Sequence, residues 1–159
     1  LLCRTIASLD GYHLTLVAPK ESVEHDFDID ELSTVISAAR NVTWIADGVF
    51  GTQLISLIKN SDCLVSFSTE EGLGKTYIEA LGLGVPVVSF ENRGAREIAS
   101  YSRGMFCGTL LQCKDELELL KDNNSKLRLF ARKDASKLRM KYSPEHCAGC
   151  FTDLLKGSD

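Results

Sequence analysis

The feature that most limits what this chain can fold into is a repeated alternation of short apolar runs with amphipathic stretches. YHLTLVA (12–18), VTWIA (42–46), DCLVSFS (62–68), VPVVSF (85–90) and GMFCG (104–108) read as strands. Between them, DIDELSTVISAAR (28–40) sets Leu32, Val35, Ile36 and Ala39 on one face of a helix. GTQLISLIKNS (51–61) does the same with Leu54, Leu57 and Ile58. Helices are also expected over 74–84, 94–102, 113–122 and 125–140, the last two joined through KDNNSK (121–126). A terminal helix is expected over 144–156, where Ser143 can cap and Pro144 suits the first helical position. Short strands alternating with helices specify βαβ units, and strands apolar at nearly every position specify a parallel sheet covered on both faces. The expected class is α/β: a three-layer α/β/α sandwich of Rossmann type with a parallel sheet. In such sheets ligands sit outside the carboxyl ends of the strands, where the loop 69–74 falls.

The chain has 159 residues, enough for one domain with a real core, and 44% of them are apolar. A net charge of −4 argues against a nucleic-acid partner, which would favour a basic face. No apolar run is long enough to span a bilayer, and LLCRTIASLD lacks the pattern of a signal peptide. The chain begins without an initiator Met and is read as a fragment. Six cysteines in a core-rich chain do not make a disulfide scaffold. Cys63 and Cys107 sit in apolar runs, where a free thiol acts as a small hydrophobe, so the expected compartment is reducing and cytoplasmic. His146, Cys147 and Cys150 lack a second ligand pair for zinc, and no metal site is expected. Cys147, Cys150, Phe151 and Leu154 recur at helical spacing and read as one core-facing side.

The most informative stretch is STEEGLGKTYIEALGLGVPVVSF, Ser68 to Phe90. Its Gly74-Lys75-Thr76 resembles the end of a P-loop, but the first glycine of that motif would be residue 69, which is threonine. Glu70 and Glu71 would also turn negative charge toward a polyanion. A helix starting near Gly74 still offers unpaired N–H groups from Leu73 to Thr76, which with the helix dipole favour an anion by about 0.3–2 kcal/mol. Glycines at 72 and 74 let a ligand approach the backbone. The carboxylates suit a ligand with hydroxyls beside its phosphates, as in a nucleotide sugar. Glu79 has a plainer reading as the partner of Lys75 one turn earlier, and Lys75 either touches phosphate or stays solvated.

Glu71 and Glu79 are eight apart. With Asp62 and Ser68 before them, Gly72 and Gly74 between, and Ala80, Gly84-Val85-Pro86-Val87-Val88 and NRGAREI behind, the stretch resembles the signature region of the retaining GT-B glycosyltransferases of family 4, also called group 1. In NRGAREI, Arg93 replaces a family glycine and Glu97 is in place, read as structural. The resemblance implies one half of a GT-B fold: a donor-binding domain over 1–142, with the first strand missing, and a helix over 143–159 that packs on an absent N-terminal domain. LLCRTIASLD looks like the helix after that missing strand, so Arg4 is not one of the strand's diphosphate-binding cations. By the same resemblance Glu71 lies near the anomeric carbon, and Gly72, Leu73, Gly74, Lys75 and Thr76 hold sugar hydroxyls and pyrophosphate. Glu79 binds the ribose. Val49 corresponds to the valine of the base-binding turn, with Asp47 standing where that turn has glycine.

The implied activity is sugar transfer from a nucleoside diphosphate sugar to a glycan, lipid or small-molecule acceptor, with retention. No cofactor or metal is implied, since helix amides and basic groups can hold the leaving diphosphate. The isolated chain is expected to be inactive, because the acceptor contacts belong to the absent domain. The whole enzyme is expected in the cytoplasm, with room for peripheral association at the inner face of a membrane. An alternative of a different class is a non-catalytic nucleotide-binding or interaction module that pairs with a partner supplying the missing half. An exposed cleft face would then drive self-association.

Overall fold

The structure, a computed structural model, describes residues 1–18, 29–102 and 104–149. It falls into two compact units, Leu1–Ile55 and Ser56–Asp159.

The first unit runs α1 (Leu2–Ala7), β1 (Leu14–Val17), α2 (Ile29–Ala38) and β2 (Val42–Ile45), and ends within α3 (Gly51–Asn60). β1 and β2 pair in parallel, Leu14 beside Val42 and Val17 beside Ile45. Parallel neighbours need a crossover between them, and α2 lies in it. The face of α2 carrying Leu32, Val35, Ile36 and Ala39 is the half-buried one, as its spacing requires. Asn41 ties the unit together: its side-chain amide donates to the carbonyls of Ile6 (3.0 Å) and Tyr12 (3.1 Å). Trp44 donates to the carbonyl of Ala18 at 2.8 Å. Arg4, on α1, pairs with Glu31 on α2.

The second unit carries β3 (Leu64–Ser66), α4 (Lys75–Gly82), β4 (Val87–Phe90), α5 (Arg93–Ala99), β5 (Met105–Cys107) and α6 (Leu110–Lys141). The sheet order is β3-β4-β5, all parallel, with α4 and α5 as the crossovers. β4 is the central strand, and Val87, Val88 and Ser89 are fully buried, which explains its unbroken apolar run. On α4 the inward residues are Tyr77, Ala80 and Leu81, and on α6 they are Cys113, Leu117, Leu120, Ala131, Ala135 and Leu138. Both helices pack against β4 and against each other. Alternating helices and parallel strands make the chain an α/β, Rossmann-like protein.

Helices lie at 113–122 and 125–140 as expected, meeting at a kink within α6, and the first begins earlier, at Leu110, because Thr109 and Gln112 make a reciprocal capping box. The kink is at Asn123 (φ −124°, ψ 16°). There the Asn123 amide bonds back to the Leu119 carbonyl and Asn124 donates to Asp62 at 2.6 Å, so side chains compete with the helical ladder. Just beyond, Arg128 reaches the carbonyls of Ser61 and Lys59 at the end of α3, where a cation complements the helix dipole.

One expectation, that for Cys147, needs correction. Ser143 does cap the next helix, its Oγ accepting from the His146 amide at 3.1 Å. Yet residues 144–149, Cys147 included, are all exposed, so Cys147 does not face a core. Cys150, Phe151 and Leu154 lie outside the described residues. No helix among the described residues is long and apolar enough to cross a membrane.

The described cysteines are free thiols with very different surroundings. Burial and the neighbouring Asp62 carboxylate push the Cys63 thiol up to about 12. Burial and the adjacent Cys107 do the same to Cys113, also to about 12. Thiolate is the reactive form, so brief alkylation at about pH 8 should modify Cys147 and spare Cys63, Cys107 and Cys113 until the chain is denatured. Peptide mass spectrometry reads the pattern, and native labelling of Cys113 at the rate of Cys147 would contradict the packing of α6.

Candidate functional site

The loop 67–74 leaves the carboxyl end of β3 and enters α4, the position where parallel sheets place ligands. Phe67 stacks on Phe90 at the end of β4, with ring centroids 4.9 Å apart. Ser68 Oγ donates to the carbonyl of Glu70 at 2.7 Å, turning the chain outward.

A buried polar cluster holds this loop from beneath. Tyr77, fully buried on α4, donates its hydroxyl to Ser66 Oγ at 3.1 Å. The Asn92 side-chain amide donates to the Tyr77 hydroxyl (3.2 Å) and to the Ser68 carbonyl (3.0 Å). Its oxygen accepts from the Ala95 amide at 2.9 Å and so caps α5. One buried side chain thus joins the end of β3, the first turn of α4 and the start of α5. Each of these groups, buried without its partner, would cost about 1–3 kcal/mol.

Two glycines set the fit. Gly74 is the residue before α4 and adopts a left-handed conformation (φ 65°, ψ 53°) that a side chain disfavours. A Cβ there would also fall 2.5 Å from the Tyr77 ring. Gly94 is required by close approach: its amide donates to the Glu71 carbonyl at 2.8 Å. A Cβ on Gly94 would lie 2.9 Å from the Gly74 nitrogen and 3.0 Å from the Leu73 carbonyl carbon. The glycine in NRGAREI is therefore the rest on which the 71–74 loop lies.

Above this support opens a cleft of about 400 Å³ lined by Thr69, Glu70, Glu71, Gly72 and Arg93. Of the residues expected from sequence, Glu71 and Gly72 line it. Leu73, Lys75 and Thr76 are exposed at the adjoining helix start, and Gly74 is buried beneath them. Gly74 accepts from the Tyr77 and Ile78 amides, at 2.9 and 3.2 Å, which accounts for the first turn's inner donors. The amides of Lys75 and Thr76, in the first turn of α4, have no intrahelical acceptor, as is general for the first donors of a helix. Glu79 is exposed one turn further along α4, outside the cleft lining. Lys75 and Glu79 do not pair; the ion pairs among the described residues join Arg4 to Glu31, Arg96 to Glu91 and Lys137 to Asp134. Val49 follows β2 in the first unit and is half-buried. Glu97 is exposed on α5.

Residues 25–135 match the family profile of the group 1 glycosyl transferases. The match spans more than half of the chain's 159 residues, and the chain belongs to that family. Its general activity class is accordingly sugar transfer. No curated protein matches the chain by sequence.

Sequence reasoning assigned no role to Asn92, Tyr77 or Gly94, and noted Arg93 only as the replacement of a family glycine. Asn92 had a readable signal, an Asn between a strand and a helix with a partner amide three residues on. The others act through contacts far along the chain. The two loop glycines 72 and 94 separate the roles of openness and support. Nothing lies within 4 Å of a Cβ at Gly72. Gly94→Ala should cost about 1–3 kcal/mol in urea unfolding, from forced backbone displacement. Gly72→Ala should change stability by less than about 0.5 kcal/mol. Equal costs, or the reverse order, would contradict the close approach of Gly94 to the loop.

Proposed function

We propose that this chain is the donor-binding part of a retaining glycosyltransferase of the GT-B architecture, acting on a nucleoside diphosphate sugar. The observation that carries the reading is the cleft at the carboxyl end of β3, in which Glu71 and Gly72 stand beside the start of α4. An anion at that start gains about 0.3–2 kcal/mol from the amides and dipole, so the diphosphate belongs at Gly74, Lys75 and Thr76. Glu71, in the cleft, then faces the sugar. Its carboxylate accepts from hydroxyls and stabilises the positive charge that develops at the anomeric carbon as the bond to phosphate lengthens. The family match favours this class of chemistry over a purely structural module.

Glu79, exposed beyond the first turn of α4, is assigned the ribose hydroxyls. A carboxylate accepting two hydroxyls makes charge-assisted bonds, and losing them weakens binding about tenfold. Calorimetric titration of UDP, GDP and ADP into the chain should therefore find one that binds, and Glu79→Ala should weaken it about tenfold while melting as the wild type does. Indifference of all three nucleotides to the protein, or of the binding nucleotide to the substitution, would count against the assignment.

A further inference from the structure

Resting on the nucleotide-sugar reading, we propose that Arg93 grips the phosphate directly attached to the sugar, the leaving group of the transfer. Four observations carry this. Arg93 lines the same cleft as Glu71 and Gly72, and it is the one cationic residue of that lining beside two carboxylates. The residue after it, Gly94, bonds to the Glu71 carbonyl at 2.8 Å, which fixes the Arg93 backbone next to Glu71. The start of α5 is itself held by the Asn92 cap, so the arginine springs from an ordered point. And Arg93 takes part in none of the ion pairs or side-chain hydrogen bonds formed among the described residues, although its neighbour Arg96 pairs with Glu91 at 2.9 Å.

An arginine that merely balanced Glu70 and Glu71 would sit on them. This one leaves its guanidinium fork unspent, facing a cleft wide enough for a ligand. The fork's planar set of donors matches the paired oxygens of phosphate, and its charge persists at any physiological pH. If Glu71 faces the anomeric carbon, a cation anchored beside it meets the oxygen bonded to that carbon. In the reaction the bond from the anomeric carbon to that phosphate oxygen breaks, and its electron pair leaves on the diphosphate. The acceptor hydroxyl oxygen bonds to the same carbon, and its proton passes to the departing phosphate. Negative charge therefore grows at the place Arg93 occupies, while positive charge grows opposite Glu71. One acid and one base side by side match the two ends of a breaking bond.

The test is titration of the full chain with the binding nucleoside diphosphate, its monophosphate and its nucleoside, using wild type, Arg93→Gln and Arg93→Lys. Arg93→Gln should weaken the diphosphate about tenfold or more and leave the nucleoside unchanged. Arg93→Lys, which keeps the charge and loses the fork, should fall between. Raised salt should weaken the wild type more than Arg93→Gln. If the diphosphate binds both Arg93→Gln and wild type equally, Arg93 does not hold phosphate, though the nucleotide reading survives. An equal loss for diphosphate and nucleoside would also overturn the proposal, since the arginine would then be shaping the site rather than reading its charge. If no diphosphate binds the wild type, the nucleotide reading fails and the role of Arg93 falls with it.

Discussion

The second unit depends on what one buried amide side chain can do. Asn92 has two donors and an acceptor available, and it spends them on the Ser68 carbonyl, the Tyr77 hydroxyl and the Ala95 amide. Those partners belong to three successive pieces of the parallel sheet's upper edge. A backbone that leaves a strand and enters a helix has polar groups to satisfy, and burying them unpaired is costly. Here the same residue that starts α5 satisfies the loop that starts α4. The Gly94 amide completes the join at Glu71. Neighbouring strand ends are thereby locked into one surface, and that surface carries the cleft.

What the surface presents follows from this support. The loop is tied to α5 where the Gly94 amide donates to the Glu71 carbonyl, and Gly74 lies against the Tyr77 ring. Glu70, Glu71 and Arg93 stand around the opening beside the start of α4. Opposite charges so close would collapse onto one another on a mobile surface. Arg93 on α5 forms no ion pair with Glu70 or Glu71 on the loop, the separation that the proposed reading needs for acting on the two ends of one polar bond. A P-loop binds phosphate by wrapping it. This loop instead lies beside a helix start and Arg93, and under the proposed reading that is how acids at its mouth are compatible with a phosphate ligand.

Much of the fold was legible because it is written locally. The apolar runs at 42–46 and 85–90 contain β2 and β4, and the spacing of Leu54, Leu57 and Ile58 marks the covered face of α3. The loop–helix junction at Gly74 was visible for the same reason, since a left-handed residue before a helix calls for glycine. Features set by distant partners were not. The bend at Asn123 depends on Asp62, the need for glycine at 94 depends on the loop at 71–74, and the place of Arg93 in the cleft depends on both. Cys147 misled for a related reason: helical spacing predicts a face but cannot say that something packs on it. The capping box of Thr109 and Gln112 was local too, and it sets the start of α6 three residues before Cys113.

The central claim is that the start of α4, propped on Gly94 and Asn92, receives the diphosphate of a sugar donor. Amide-resolved NMR during titration with a nucleoside diphosphate tests it most directly. The account predicts that the largest shifts fall on the amides of Gly72 to Thr76 and on Arg93 and Gly94, with Lys75 and Thr76 foremost. Saturable shifts elsewhere, with those amides unmoved, would contradict it.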